Sequence, residues 1–206
     1  MIAISSGKGG VGKSTISANI AVALSNLGLR IGLMDTDIYG PNIPGILGSH
    51  VRPIANPDTG KIEPISAHGI KFISMGLLLE EDAPVIWRGP MLAKMVNQFL
   101  SNVAWGDLDI LVADLPPGTG DVQLTMTQSA PLTSAIILTT PSAIALEDVR
   151  RGVEMFQQVE VPIFGLVENM SNFQCDACNH IEYLFGRDQS ESIAKELGIP
   201  LVSKIP

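Results

Sequence analysis

The stretch Ser6-Gly-Lys-Gly-Gly-Val-Gly-Lys-Ser-Thr15 lies between a short β-branched run, Ile2-Ala-Ile-Ser5, and a helix predicted over 13–27. Gly7, Gly12, Lys13 and Ser14 satisfy G-x-x-x-x-G-K-[ST] in the strand–loop–helix context that the motif requires. Glycines let the backbone curl until successive N–H groups face one concavity. The helix N-terminus adds partial positive charge at the same place. Gly7, Lys8, Gly9, Gly10, Val11, Gly12, Lys13, Ser14 and Thr15 are therefore expected to cradle the phosphates of ATP. Lys13 would reach the β- and γ-phosphates, and the Ser14 hydroxyl would take a place on Mg²⁺. Lys8 is a second lysine inside the loop. It is either a solvated side chain on a flexible turn or an added cation for the γ-phosphate, of the kind another subunit can supply in phosphoryl transfer.

Outward from this loop, apolar bursts recur at 2–5, 30–35, 70–75, 108–116, 134–140 and 162–169. They are continuous rather than alternating and are flanked by Gly, Pro and Asp, as strands buried on both faces are. Helices are predicted between them at 13–27, 90–103, 121–129, 144–158 and 188–197. Strand–helix alternation gives an α/β fold, a doubly wound and mostly parallel sheet of the P-loop NTPase type. The 206 residues read as a single ATPase domain over 1–206. Regularity fails at 36–69, where five prolines and five glycines leave no convincing helix, and in a cysteine-bearing loop at 170–187. The final Lys204-Ile-Pro206 reads as the end of a strand, so a further native element is expected after it.

Composition excludes some classes. A net charge of −8 opposes nucleic acid as a main partner, because that affinity comes from cations neutralising phosphates. No run of 18 apolar residues predicts a membrane span, and no leader pattern opens the chain. Two cysteines make no disulfide framework. The expectation is a cytoplasmic protein with no membrane and no nucleic-acid partner.

Met34-Asp-Thr-Asp-Ile-Tyr-Gly-Pro-Asn-Ile-Pro44 places Asp35 and Asp37 just past a strand, at the end where parallel sheets bind ligands. One acid can hold a Mg²⁺-bound water while the other orients the attacking water. An Asp-rich turn that caps its own N–H groups is the plainer alternative. Asp114 ends another buried strand in Leu111-Val-Ala-Asp-Leu-Pro-Pro-Gly-Thr-Gly-Asp121, the pattern of an acid reaching Mg²⁺ through water. The Pro/Gly run after it suits a segment that responds to the γ-phosphate. Cys175-x-x-Cys178 has the spacing of half a tetrahedral metal site. A redox pair, a zinc site with His180, an iron–sulfur site completed by a second copy at a twofold axis, and two inert thiols all remain open.

These residues carry a resemblance. The loop "GKGGVGKST" resembles the deviant Walker A motif of the nitrogenase iron protein, MinD and ParA superfamily. "DLPPGTGD" (114–121) resembles the second switch of Mrp/NBP35 proteins, and "DIYGPNIP" (37–44), Trp87-Arg-Gly-Pro-Met91 and Val167-Glu-Asn-Met-Ser171 extend the likeness over nearly the whole chain. The resemblance implies an iron–sulfur cluster carrier ATPase acting as a homodimer. Lys8 would reach the partner's nucleotide, and Asp37 would position or activate the water. Asn169 would bind the adenine edge, for which an amide offers both donor and acceptor. Cys175 and Cys178 would bridge a [4Fe–4S] cluster between subunits for delivery to apo iron–sulfur proteins. The chain departs from many members at Asp176, where they carry Pro. The implied chemistry is slow hydrolysis of ATP to ADP and phosphate, with Lys8, Lys13, Asp37 and Asp114 as the catalytic set. Three rivals stand beside this: a partition or positioning ATPase switching between monomer and nucleotide-sandwich dimer, an ATP-gated electron-transfer reductase, and a zinc-bearing scaffold.

Overall fold

A computed structural model of the chain describes residues 1–37, 40–78, 89–118 and 120–206. In chain order the elements are β1 (Ile2–Ser6), α1 (Lys13–Asn26), β2 (Ile31–Asp35), α2 (Ile43–Ile46), β3 (Ile65–Ala67), β4 (Ile70–Ser74), α3 (Met75–Leu78), α4 (Gly89–Asn102) and β5 (Ile110–Asp114). They continue as α5 (Asp121–Ser129), β6 (Ser134–Thr139), α6 (Ala143–Gln158), β7 (Ile163–Glu168), β8 (Phe173–Gln174), β9 (Ile181–Glu182), α7 (Gln189–Leu197) and β10 (Leu201–Lys204). Among the described residues, eight strands form one sheet in the order β10-β7-β6-β1-β5-β2-β4-β3. Every pair is parallel except β3 with β4. This is the expected α/β architecture.

β1 is central, with β5 on one side and β6 on the other. Connections diverge to opposite sides there, and a crevice opens at the carboxyl ends of the strands. The glycine-rich loop leaves β1 at that crevice. Side chains along a strand alternate between faces, so each strand is divided between two cores. Ile4, Leu33, Val112, Leu138 and Val167 pack with Ala18 and Ala21 of α1. Ala3, Met34, Ala113, Ile137 and Leu166 pack with Phe99 of α4, Met126 of α5, Val149 and Phe156 of α6 and Ile193 of α7. Phe72, Phe99 and Phe156 are almost fully enclosed, each contributing roughly 1.5–3 kcal/mol of apolar burial.

The alternation has a functional consequence. Asp35, Asp114 and Asn169 follow Leu33, Val112 and Val167 by two residues, so all three turn toward the α1 side, where the glycine-rich loop lies.

The irregular segments hold more regular structure than the sequence predicts. Residues 36–69 contain a one-turn helix, α2, with Pro44 in its first turn, and a short edge strand, β3. β3 turns into β4 through His68 and Gly69, at φ 47° and 79°. Left-handed backbone at both central residues is what a two-residue hairpin with the right-handed strand twist demands. The cysteine-bearing segment is not a plain loop either, because β8 and β9 pair antiparallel within it. Among the described residues no helix is long and apolar enough to cross a membrane.

Candidate nucleotide site and cysteine hairpin

The loop after β1 wraps a cavity of about 370 Å³ whose wall includes Lys8, Gly9, Gly10, Gly12, Lys13, Ser14, Thr15 and Asp37. Gly10 and Gly12 have φ of 80° and 85°, in the region that disfavours side chains. Gly12 is also sterically closed, since a Cβ there would lie 2.4 Å from Asn169 Nδ2. α1 begins at Lys13 with no side-chain cap and no acid in its first turn. Its first N–H groups and its dipole are thus left to whatever occupies the cavity.

Asp114 organises the floor. Its carboxylate is fully buried and lies 2.9 Å from Lys13 Nζ as an ion pair. Ser14 Oγ donates to its second oxygen at 2.6 Å, and Ser17 Oγ lies 2.7 Å from the first. Thr36 zips the end of β2 to the same residue, its N–H and hydroxyl both donating to the Asp114 carbonyl at 3.0 and 2.7 Å. Lys13 and Ser14 thus meet Asp114, and Asp37 lines the same cavity as Lys13 and Ser14. Ser17 was not singled out from sequence. The signal was present, since it follows Lys13 by four residues and so shares its helix face.

Asp35 stands beside Asp114 in strand register and is also fully buried. Burial pushes its carboxyl up to about 7, and repulsion from Asp114 adds to this, against hydrogen bonds from Ser74 Oγ and the Asp37 N–H. It lies under the cavity wall rather than on it. Asp37 reaches the cavity, and its Oδ1 accepts from the Gly40 N–H at 3.1 Å. Asp114 and the Ser14 hydroxyl offer hard oxygens of the kind that Mg²⁺ takes.

Asn169 Nδ2 donates to the Val11 carbonyl at 2.9 Å, bracing the phosphate loop from β7. Lys8 Nζ donates to Ser142 Oγ at 3.3 Å. Gly7 packs under α6, where a Cβ would come within 2.1 Å of the Asp148 Cβ. Trp87, Arg88, Ile38, Tyr39 and Thr119 of the quoted motifs lie outside the described residues.

The cysteine pair caps the β8–β9 hairpin. Cys175 N–H donates to the His180 carbonyl at 2.9 Å, and Asn179 N–H, at φ 56°, donates to the Cys175 carbonyl at 2.8 Å. Cys178 is exposed and Cys175 half-buried, and both are free thiols. Hydrogen bonds from the backbone of Ala177 and Cys178, then from the Cys178 side chain, hold the Cys175 thiol below its ordinary value. That favours the thiolate, the form that binds metals. Among the described residues no third His, Cys, Asp or Glu joins the pair in a metal-binding group, His180 included. Around it, Phe173, Ile181, Tyr183, Leu184 and Phe185 are all exposed by 41–61%.

Residues 1–206 match the family described as ParA: NUBPL iron-transfer P-loop NTPase. An iron–sulfur cluster carrier protein of Synechocystis sp. is 52% identical over 210 residues, covering 100% of this chain and 60% of the relative. An iron–sulfur cluster transfer protein NUBPL of Dictyostelium discoideum is 50% identical, over 100% of this chain and 64% of its own length. The chain thus spans less than two thirds of these relatives. A nucleotide-binding protein from Archaeoglobus fulgidus, solved in complex with ADP and with cobalt, superposes with a TM-score of 0.87 at 38% identity, covering 100% of this chain and 80% of that one.

Proposed function

The chain belongs to the NUBPL iron-transfer P-loop NTPase family, and on that premise we propose that it hydrolyses ATP and carries a [4Fe–4S] cluster, held between two copies of itself, to apo iron–sulfur proteins. The observation that carries the reading is the half site. Two thiols, one of them favoured as thiolate, sit on an exposed hairpin with no third ligand among the described residues. Four thiolates are needed, and a twofold axis through two such hairpins supplies them. Exposed aromatic and aliphatic side chains around the pair suit a protein surface that becomes covered.

Hydrolysis then falls to the cavity. Lys13, which lies beside Asp114, turns to the β- and γ-phosphates. Backbone N–H groups of residues 9–15 and the start of α1 receive the remaining phosphate oxygens. Asp37 accepts a hydrogen bond from the attacking water and aligns it. Lys8 of a second copy adds a cation on the γ-phosphate, where charge develops. Asn169, whose amide braces the loop at Val11, would turn its remaining donor and acceptor capacity to the adenine edge. Ser14 and Asp114 would hold Mg²⁺, directly or through water. When bound, the metal neutralises phosphate charge. The cluster is cargo, which the recipient protein accepts.

The test is anaerobic purification with iron, zinc and acid-labile sulfide measured per chain, for the wild type and a Cys175→Ser/Cys178→Ser variant. Roughly two iron and two sulfide per chain, lost in the variant, are expected for one four-iron cluster per dimer. Zinc at about half an equivalent per chain without sulfide would sink the carrier reading and leave a metal clasp.

A further inference from the structure

Three consecutive residues at the end of β1 are tied to the chain that follows β5. The Ile4 carbonyl accepts from the Leu115 N–H at 3.0 Å, and the Ser6 carbonyl accepts from the Gly118 N–H at 2.9 Å. Between them, Ser5 Oγ accepts from the side-chain amide of Gln123, in the first turn of α5. The first two ties are backbone bonds, which do not depend on side-chain identity. The third exists only because residue 123 carries an amide. Ser5 and Gln123 are both buried, and neither lines the nucleotide cavity, whose wall includes Ser6 and Pro117.

This tie weakens the core it runs through. Gln123 Oε1 is buried with no hydrogen-bond partner among the described residues. An amide oxygen left without a donor opposes folding. Met126, one turn further along α5 on the same face, sits in the apolar core, so a leucine at 123 would suit that face as well. The amide is explained by what it connects. β1 runs directly into the phosphate loop, and Ser6 Oγ donates to the Lys8 carbonyl at 3.0 Å, so the loop is anchored within one residue of Ser5. At the other end, α5 begins directly after the Pro/Gly segment that follows Asp114. Gly118, at φ 102°, gives that segment a backbone state open to few other residues. The first turn of α5 is stiff, because Leu124 N–H donates to the Gly120 carbonyl at 3.1 Å and Thr127 Oγ1 to the Gln123 carbonyl at 2.8 Å. A shift of the segment therefore moves Gln123, and Gln123 moves Ser5.

We propose that Gln123 is a positioning residue that couples the segment after Asp114 to the root of the phosphate loop, and that through it the cavity distinguishes a nucleoside triphosphate from a diphosphate. The inference rests on the nucleotide-site reading above and adds the side chain through which the loop and the segment act on each other. Gln123 touches no phosphate in this role and acts through Ser5. Coupling of this kind is reciprocal, so it is readable as a difference in affinity between two nucleotides.

The experiment measures equilibrium affinities for Mg²⁺–ADP and for the Mg²⁺ complex of a non-hydrolysable ATP analogue, phosphate release from ATP, and melting temperature without added nucleotide. It uses the full chain as wild type, Gln123→Leu, Ser5→Ala and Ser5→Ala/Gln123→Leu. Gln123→Leu is expected to keep its melting temperature and its affinity for ADP, while affinity for the analogue falls about fivefold, the worth of one ordinary hydrogen bond. kcat/KM for phosphate release should fall by at least as much. Ser5→Ala removes the same bond from the other side and should give the same loss, which keeps the test decisive should Gln123→Leu fail to fold. The double variant should lose no more than either single one.

A Gln123→Leu variant that melts lower and loses ADP and analogue affinity alike would reduce Gln123 to a packing residue. Losses that add in the double variant would mean that Ser5 and Gln123 act separately, and an unchanged ratio of the two affinities would likewise overturn the proposal. A wild-type chain that binds both nucleotides but releases no phosphate would sink the ATPase reading, while the affinity ratio still decides this inference. A wild-type chain that binds neither nucleotide overturns both.

Discussion

The phosphate loop and the cysteine hairpin are both short turns that display reactive groups, and they are built in opposite ways. The phosphate loop is locked from behind. Gly12 interlocks with Asn169, Gly7 with Asp148, and Lys13, Ser14 and Ser17 converge on a carboxylate with no solvent exposure. The hairpin stands on two paired residues per strand, with its cysteines and most of its apolar side chains toward solvent. A site that stabilises developing charge gains from preorganisation and exclusion of water. A site that must give up its cargo needs access. Asn169, which braces the phosphate loop, precedes Cys175 by six residues, so the support of the rigid site sits at the root of the accessible one.

Four measurements can break or sharpen this contrast. The largest effect is expected from Lys13→Ala, which should slow ATP hydrolysis by about 100-fold or more by removing the principal phosphate cation. Retained hydrolysis, read by phosphate release, would mean that the cavity is not the catalytic site. Next comes Asp35→Asn in the protein free of nucleotide and metal. The Asp35 carboxyl is raised from 3.8 to about 7, so ionising it opposes folding. The folded state then binds more protons than the unfolded state across this window, and stability falls as pH rises through it. The variant should be more stable by about 4 kcal/mol at pH 8, with the gain vanishing toward pH 4. A pH-independent difference in urea melts would refute the burial argument.

Gly12→Ala is expected to cost about 1–2 kcal/mol, from its left-handed backbone and from the Asn169 contact. Combining it with Asn169→Ala should recover the contact part alone, which a double-mutant cycle isolates. The smallest effect belongs to the hairpin. Cys175→Ser/Cys178→Ser should alter the stability of the cluster-free protein by under about 0.5 kcal/mol, because neither thiol is enclosed. A loss of several kcal/mol in thermal melts would show the hairpin to be a structural element after all.

Legibility in the sequence followed the range of the interactions. β1, the glycine-rich loop and α1 were readable because motif, strand and helix occupy consecutive residues. The continuous apolar runs marked the buried strands to within one or two residues, since burial on both faces suppresses alternation. The β3–β4 hairpin escaped because its turn, His68-Gly69, lacks the usual Asn-Gly or Asp-Gly signature. α2 escaped because one turn is too short for a period to register. Ser17 was within reach of helical arithmetic, whereas the Lys8 contact with Ser142 had no local signal of any kind.

By itself the sequence determined the α/β class, the phosphate-binding loop, the two acid-ended strands and the spacing of the thiols. Each depends on residues close together in the chain, where backbone geometry alone relates them. Only the tertiary structure decided how those groups meet. Asp114 is tied to Lys13, Ser14 and Ser17, Asn169 braces Val11, Asp35 is enclosed beside a second carboxylate, and Lys8 rests on the start of α6. Strand order and side-chain parity set these contacts between residues up to 158 positions apart, and both arise from packing two cores against one twisted sheet.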